Sequence, residues 1–201
     1  MYNIITISRQ FGSGGRTIGR EVARRLGIPC YDKELIERTA HVTGFSEGYV
    51  AETAEDAPRT SGFSYSLLGR GTDGVSNADR IWFAEKQVIL DLAQQGPCVI
   101  VGRCADYLLR DREDCLHVFV YADRAFRARR IVEQYGETAE APWKRLAEKD
   151  KKRRLNYQYY TERKWGAPEN YHLCMNSGRL GLDRAVELIL NTVGGTIDAA
   201  E

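Results

Sequence analysis

Two stretches of the chain, CVIV (98–101) and HVFVY (117–121), are apolar without alternation, and each is followed by a segment with helical character. A strand that is apolar at successive positions is covered on both faces, the situation of a parallel sheet sandwiched between helices. A third run, NIITIS (3–8), enters a glycine turn. After that turn Ile18, Val22, Ala23 and Leu26 repeat at helical spacing until Gly27, so this part reads strand, turn, helix. NYHLCMN (170–176) supplies a further candidate strand. It is followed by a helical stripe through Ala185, Leu188, Ile189 and Thr192 that loosens at Gly194 and Gly195. Strands alternating with helices predict an α/β fold of three layers around a parallel sheet.

Two regions interrupt the rhythm. EGYVAETAEDAP begins as a helix, but residues 58–78 are dense in Gly, Ser and polar residues, which predicts either a functional flap or disorder. A helix resumes at Arg80, with Ile81, Ala84, Val88, Ile89 and Leu92 on one face, and stops before Gly96-Pro97. The second interruption, residues 141–166, is rich in Lys, Arg and Tyr with little apolar periodicity. It predicts one or two exposed helices, either a solvated charged face or a cover over something anionic.

The 201 residues, 43% hydrophobic, suffice for one domain with one substantial core. Within it, residues 1–45, 80–140 and 168–195 form the expected core, 46–79 an insertion and 141–167 a mobile appendage. Lys+Arg (29) nearly equal Asp+Glu (28), so no overall field marks a nucleic-acid or membrane binder, and function must come from local sites. The N-terminal apolar stretch is broken by Arg9 too soon for a signal peptide, and no run approaches the ~20 apolar residues of a membrane span. A cytoplasmic protein without nucleic-acid or membrane partners is expected; its oligomeric state is not readable. The five cysteines (Cys30, Cys98, Cys104, Cys115, Cys174) form no C-x-x-C pair, and His41, His117 and His172 lack ligand spacing, so no metal site is assigned to them.

Chemistry concentrates in FGSGGRTIG (11–19). Backbone amides in a glycine-rich bend converge on an anion, and a helix starting directly after the bend adds the positive end of its dipole. Gly12, Gly14 and Gly15 permit that close approach. The dinucleotide fingerprint G-x-G-x-x-G is not met, because Gly19 falls two residues too late. The bend follows the first strand, at the carboxyl end of the sheet, where open α/β sheets bind ligands. A ligand-free tight turn is the structural alternative.

ISRQFGSGGRTIGREVARRLGIPCYDKELI, VIVGRCADYLL and DKKRRLNYQYYTERKWGAPENYHLCMNS together resemble the cytidylate kinase-like family of P-loop proteins, over nearly the whole chain. The resemblance implies a P-loop NTPase fold, ATP and Mg²⁺ as cofactors, and a phosphate loop at Gly12, Ser13, Gly14, Gly15, Arg16 and Thr17, with Thr17 a weak Mg²⁺ ligand. Where the family has its loop lysine this chain has Gly15. Arg16 is the nearest replacement and Arg9 the second, an exposed Arg16 being the plain reading. The resemblance further implies an acceptor pocket at Asp32, Arg38 and Arg103, with Asp32 also readable as a helix N-cap and Arg103 as a surface charge. The aspartate that follows the family's arginine and helps to read cytosine is Cys104 here, with Asp106 nearby. The basic segment resembles the family's lid, whose D-x-x-R element is Asp150 and Arg153; Lys149, Lys152 and Arg154 are weaker candidates.

The function implied is transfer of the γ-phosphoryl of ATP to a nucleoside monophosphate, CMP or dCMP first, with Arg16, Arg153 and Asp150 catalytic. Two alternatives stand beside it: a nucleotide-binding regulatory module that has lost turnover with the lysine, and a kinase for another small acceptor.

Overall fold

The computed structural model describes residues 2–53 and 75–194. Five parallel strands, β1 (Ile4–Arg9), β2 (Cys30–Tyr31), β3 (Cys98–Val101), β4 (Cys115–Tyr121) and β5 (Leu173–Asn176), lie in the order β2-β3-β1-β4-β5. β1 is central, with Ile4 registered on Cys98 at one side and on Cys115 at the other.

The continuous apolar runs are explained by two cores, one on each face. Ile5, Ile7, Val99, Val101, Val118 and Val120 face a layer built from α1 (Gly15–Leu26) and α9 (Leu182–Gly194), which contributes Ile18, Val22, Ala185, Val186 and Ile189. The alternate positions Ile4, Cys98, Ile100 and Cys115 pack with Leu35 of α2 (Lys33–Thr43) and with Val88, Ile89 and Leu92 of α4 (Asn77–Gln95). Side chains alternate across a strand, so a residue pair one apart feeds opposite cores. In α9 the buried stripe runs through Val186 rather than the expected Leu188, which is exposed.

α3 (Glu47–Thr53) packs through Val50 on Ala40 and Ile81, a small satellite core. The predicted flap at 58–78 lies outside the described residues except for its last few. α4 starts three residues before the expected Arg80, because Ser76 caps it: its Oγ accepts from the Asp79 amide at 3.1 Å and donates to Asp79 Oδ2 at 2.7 Å.

A short helix α5 (Ala105–Leu108) follows β3, and α6 (Arg124–Tyr135) follows β4. The basic segment is a single helix, α7 (Pro142–Thr161), held by Leu146 against Ala128 and Ile131 of α6. Its second half is fixed in the body of the protein, with Asn156, Tyr157 and Thr161 buried, which corrects the expectation of exposed helices. A 3₁₀ turn (Pro168–Asn170) leads into β5, and α8 (Ser177–Leu180) links β5 to α9. Among the described residues no helix is long and apolar enough to cross a membrane.

Candidate active site

The bend between β1 and α1 is held open by its surroundings. Gln10 donates its amide to Val120, the Ser13 hydroxyl donates to the Gln10 carbonyl at 2.9 Å, and the buried Ser177 hydroxyl donates to the Ser13 carbonyl at 2.6 Å. Gly12 and Gly14 have φ of 78° and 85°, and each lies hard against a neighbour: a Cβ on Gly14 would be 2.6 Å from a Leu182 methyl. The first helical bond runs from the Ile18 amide to the Gly14 carbonyl. Among the described residues, the amides of Gly14, Gly15, Arg16 and Thr17 donate to no protein acceptor. These are the four orphan donors of a helix start, here gathered at a glycine bend with the dipole behind them.

Above them opens a cleft of about 410 Å³ whose lining includes Arg9, Arg16, Arg20, Arg130, Lys149 and Arg153 and, among the described residues, no acidic side chain. Gly15 cannot carry a lysine without displacing Arg9, since a Cβ there would stand 2.6 Å from Arg9 Cβ and 3.1 Å from its Cγ. Arg9 passes over Gly102, where a Cβ would strike its Nη1 at 1.7 Å, and reaches Asp32 at 3.9 Å. The lysine's position is thus taken by the backbone-proximal part of an arginine.

Arg16 does not fold over the bend. Its Nε lies 2.5 Å from Asp32 Oδ2, and Nη2 donates to Oδ1 at 3.2 Å. Arg20 adds a third cation, 3.6 Å from the same buried carboxylate. A carboxylate with only 6% of its side chain exposed attracts whatever guanidinium can reach it. This is why Arg16 turns toward Asp32. Asp32 occupies the N-cap position of α2 but makes no capping bond, because its oxygens serve these arginines.

β3 ends in three successive residues with positive φ, Gly102 (83°), Arg103 (56°) and Cys104 (53°). For non-glycine residues this is sparsely populated backbone, of the kind that clusters at functional sites. The turn buries Arg103 against Glu85 of α4, Nη1 to Oε1 3.3 Å. It opens an inner cavity of about 50 Å³, whose lining includes Arg9, Arg103, Arg153, Asn156, Tyr157 and Trp165. Arg103 is therefore no mere surface charge. Behind the cavity, buried Asp106 accepts from Ser8 Oγ at 2.9 Å and Tyr157 OH at 2.7 Å. Burial pushes its carboxyl up from the ordinary range while these hydroxyls hold it down.

The D-x-x-R pair divides its work. Asp150 accepts the Phe11 amide at 2.8 Å and pairs with Arg127 Nη1 at 2.5 Å, so it anchors the start of the bend to α7 and does not line either cavity. Arg153 lines both cavities, donates to the Arg9 carbonyl at 3.1 Å and lies over the Phe11 ring. Arg38 is apart from both: it pairs with Glu34 on the outer face of α2, 2.7 Å, and lies over Tyr31. Lys149 lines the larger cleft, whereas Lys152 and Arg154 are exposed and line neither. Thr17 is exposed, and its hydroxyl accepts from Arg130 Nη2 at 2.8 Å. Among the described residues there is no cluster of His, Cys, Asp and Glu able to hold a metal by itself. A magnesium ion here would rely on phosphate oxygens, water and the Thr17 hydroxyl, without, among the described residues lining the cleft, the one or two carboxylates that commonly help to hold that ion.

Arg127, Arg130 and Arg20 escaped the sequence reading. Arg127 and Arg130 lie in the run RAFRARR, three apart on one face of α6, a spacing that marks a shared helix surface without saying what lies opposite.

Solved structures share this fold. An uncharacterized protein from Eubacterium ventriosum ATCC 27560 superposes with a TM-score of 0.70 at 24% identity, over 94% of this chain and 97% of that one. Shikimate kinase from Acinetobacter baumannii, in complex with shikimate, follows at 0.56 and 16%, over 96% and 93%. A sugar kinase from Janibacter sp. HTCC2649 gives 0.53 and 14%, over 95% and 94%. No curated protein matches the sequence. A profile of the cytidylate kinase-like family spans residues 4–179, and with the five-stranded parallel sheet it shows that the chain belongs to that family.

Proposed function

We propose that the protein transfers the γ-phosphoryl group of ATP to a nucleoside monophosphate, CMP or dCMP first among them. The observation that supports this reading most is the set of four unpartnered amides, Gly14 to Thr17, facing a cleft lined by six cations. Phosphoryl transfer asks little covalent chemistry of a protein and much positioning and charge stabilisation. The terminal P–O bond of the donor breaks as an acceptor phosphate oxygen bonds to the same phosphorus, and ADP leaves. Thr17 would help to hold Mg²⁺, which would supply charge neutralisation at the donor phosphates.

In this reading the loop amides bind the donor. Asp32, oriented by Arg16 and Arg20, takes acceptor hydroxyls, while Arg103 and Arg9 take the acceptor's anionic group. Arg153, which touches both cavities, stands where charge accumulates between donor and acceptor. Asp150 acts through the bend it holds, as a positioning residue.

The small size of the inner cavity and its arginines also favour a second reading, a kinase for another small anionic acceptor. Purified protein with Mg-ATP and a panel of CMP, dCMP, UMP, AMP and small carboxylated or phosphorylated alcohols, scored by ADP release and product mass, separates the two. Turnover with no nucleoside monophosphate but with a smaller acceptor overturns the first. Nucleotide binding without turnover on any acceptor leaves a regulatory module.

A further inference from the structure

A bend without its lysine needs a cation over the donor phosphates, and the two residues closest in sequence are committed elsewhere. Arg16 is bound to Asp32, and the stem of Arg9 fills the space a residue-15 side chain would take. One guanidinium comes from another element. Arg130, on α6, lies over the bend with its Nε 3.4 Å from where a Gly14 Cβ would be, and its Nη2 donates to Thr17 Oγ at 2.8 Å. It therefore spans Gly14 to Thr17, the same residues whose amides have no acceptor. Its hydrogen-bond partner is a neutral hydroxyl, where Arg16, Arg103 and Arg127 hold carboxylates.

We propose that Arg130 is the donor-phosphate cation of this protein, supplied across the cleft from α6 in place of a loop lysine. This rests on the phosphotransfer reading. A polyphosphate drawn to the amides of residues 14–17 meets the guanidinium already aimed at them. Arg130 exchanges the Thr17 hydroxyl for charged phosphate oxygens, a stronger acceptor that suits its planar fork, which leaves the hydroxyl available. Gly14 lies beneath both neighbours: a Cβ there would stand 2.6 Å from a Leu182 methyl, with Arg130 Nε at an ordinary contact distance of 3.4 Å.

The test is calorimetric binding of inorganic tripolyphosphate and of Mg-ATP to the full chain and its variants Arg130→Gln, Arg130→Lys, Arg16→Gln and Arg129→Gln. The last removes an exposed charge one residue away on the same helix. Arg130→Gln should weaken both ligands about 10- to 100-fold, the loss of one charge-assisted contact pair, with partial recovery in Arg130→Lys and no comparable change in Arg129→Gln. Arg16→Gln, which removes another cleft cation held toward Asp32, should weaken tripolyphosphate binding less than Arg130→Gln does. The assignment is overturned if Arg130→Gln binds as Arg129→Gln does, if its loss appears with ATP but not with tripolyphosphate, or if Arg16→Gln alone reproduces the whole loss. Failure of the wild type to bind either ligand overturns both this assignment and the kinase reading. Wild-type binding without transfer to any acceptor sinks the kinase reading, and the binding comparison still decides Arg130.

Discussion

A Cβ on Gly15 would stand 2.6 Å from the Cβ of Arg9, closer than two such atoms ever pack. The end of β1 and the first turn of α1 are thus joined through one missing side chain, and the absent lysine is a packing requirement of this chain. Restoring the lysine by Gly15→Lys should lower stability by about 1–3 kcal/mol, the range of core overpacking, and should not raise activity. Arg9→Gly in the same molecule removes the clashing atoms and should recover part of that loss in urea denaturation. Gly15→Lys as stable as wild type would contradict the packing argument.

Asp106 is held by two hydroxyls behind the inner cavity, and one of them, Tyr157, comes from α7. Tyr157→Phe keeps the ring and removes the donor, so at pH 7 it should cost about 1–3 kcal/mol. The sign of the pH dependence follows from the direction of the shift. Burial raises the folded pKa of Asp106 and the Tyr157 bond lowers it, so the variant's folded pKa lies higher still. Its folded state takes up a proton at higher pH, and the stability gap to wild type should narrow as pH falls through that window. A gap that stays constant from pH 7 to pH 4 would rule out this coupling.

The layered sheet was legible because burial on both faces leaves a direct mark, the unbroken runs at 98–101 and 117–121. The bend was legible because glycine at fixed positions has few structural explanations. α7 was misjudged for a physical reason. Its buried residues Asn156, Tyr157 and Thr161 are polar, and they are accommodated by partners such as Cys104 and Asp106, about fifty positions away, which no local periodicity reveals. Arg16 illustrates the same limit. Its place beside the bend was plain, but its direction depends on Asp32, brought near by the return of the chain into β2.

Arg103 and Glu85 form a pair in which the side chains are 10% and 3% exposed. Arg103→Met leaves a carboxylate buried without this cation, at a cost on the order of 3 kcal/mol. The double variant with Glu85→Met should regain much of that stability, since a buried pair replaced by apolar residues is often near neutral. It should not regain acceptor affinity, because the arginine facing the inner cavity is gone. Thermal melts and acceptor KM measured side by side test the split. Recovery of both together would assign Arg103 a purely structural role.

His117 lies on the β4 strand facing away from the α1 layer, its Nδ1 2.8 Å from Thr6 Oγ and its ring stacked on His172. Burial, reinforced by His172, pulls its pKa down from the ordinary 6.5 to about 4. The unfolded chain therefore binds a proton that the folded protein refuses between those values. The stability this histidine contributes is complete above about pH 6.5, and falls by up to about 1.4 kcal/mol per pH unit as the pH drops toward 4. His117→Gln removes the titration and keeps a polar side chain near Thr6. Wild type should lose stability relative to this variant across pH 6.5 to 4 in urea denaturation, whatever the absolute difference at pH 7. Parallel curves through that interval would mean that His117 is protonated in the folded protein or hydrated beneath the sheet.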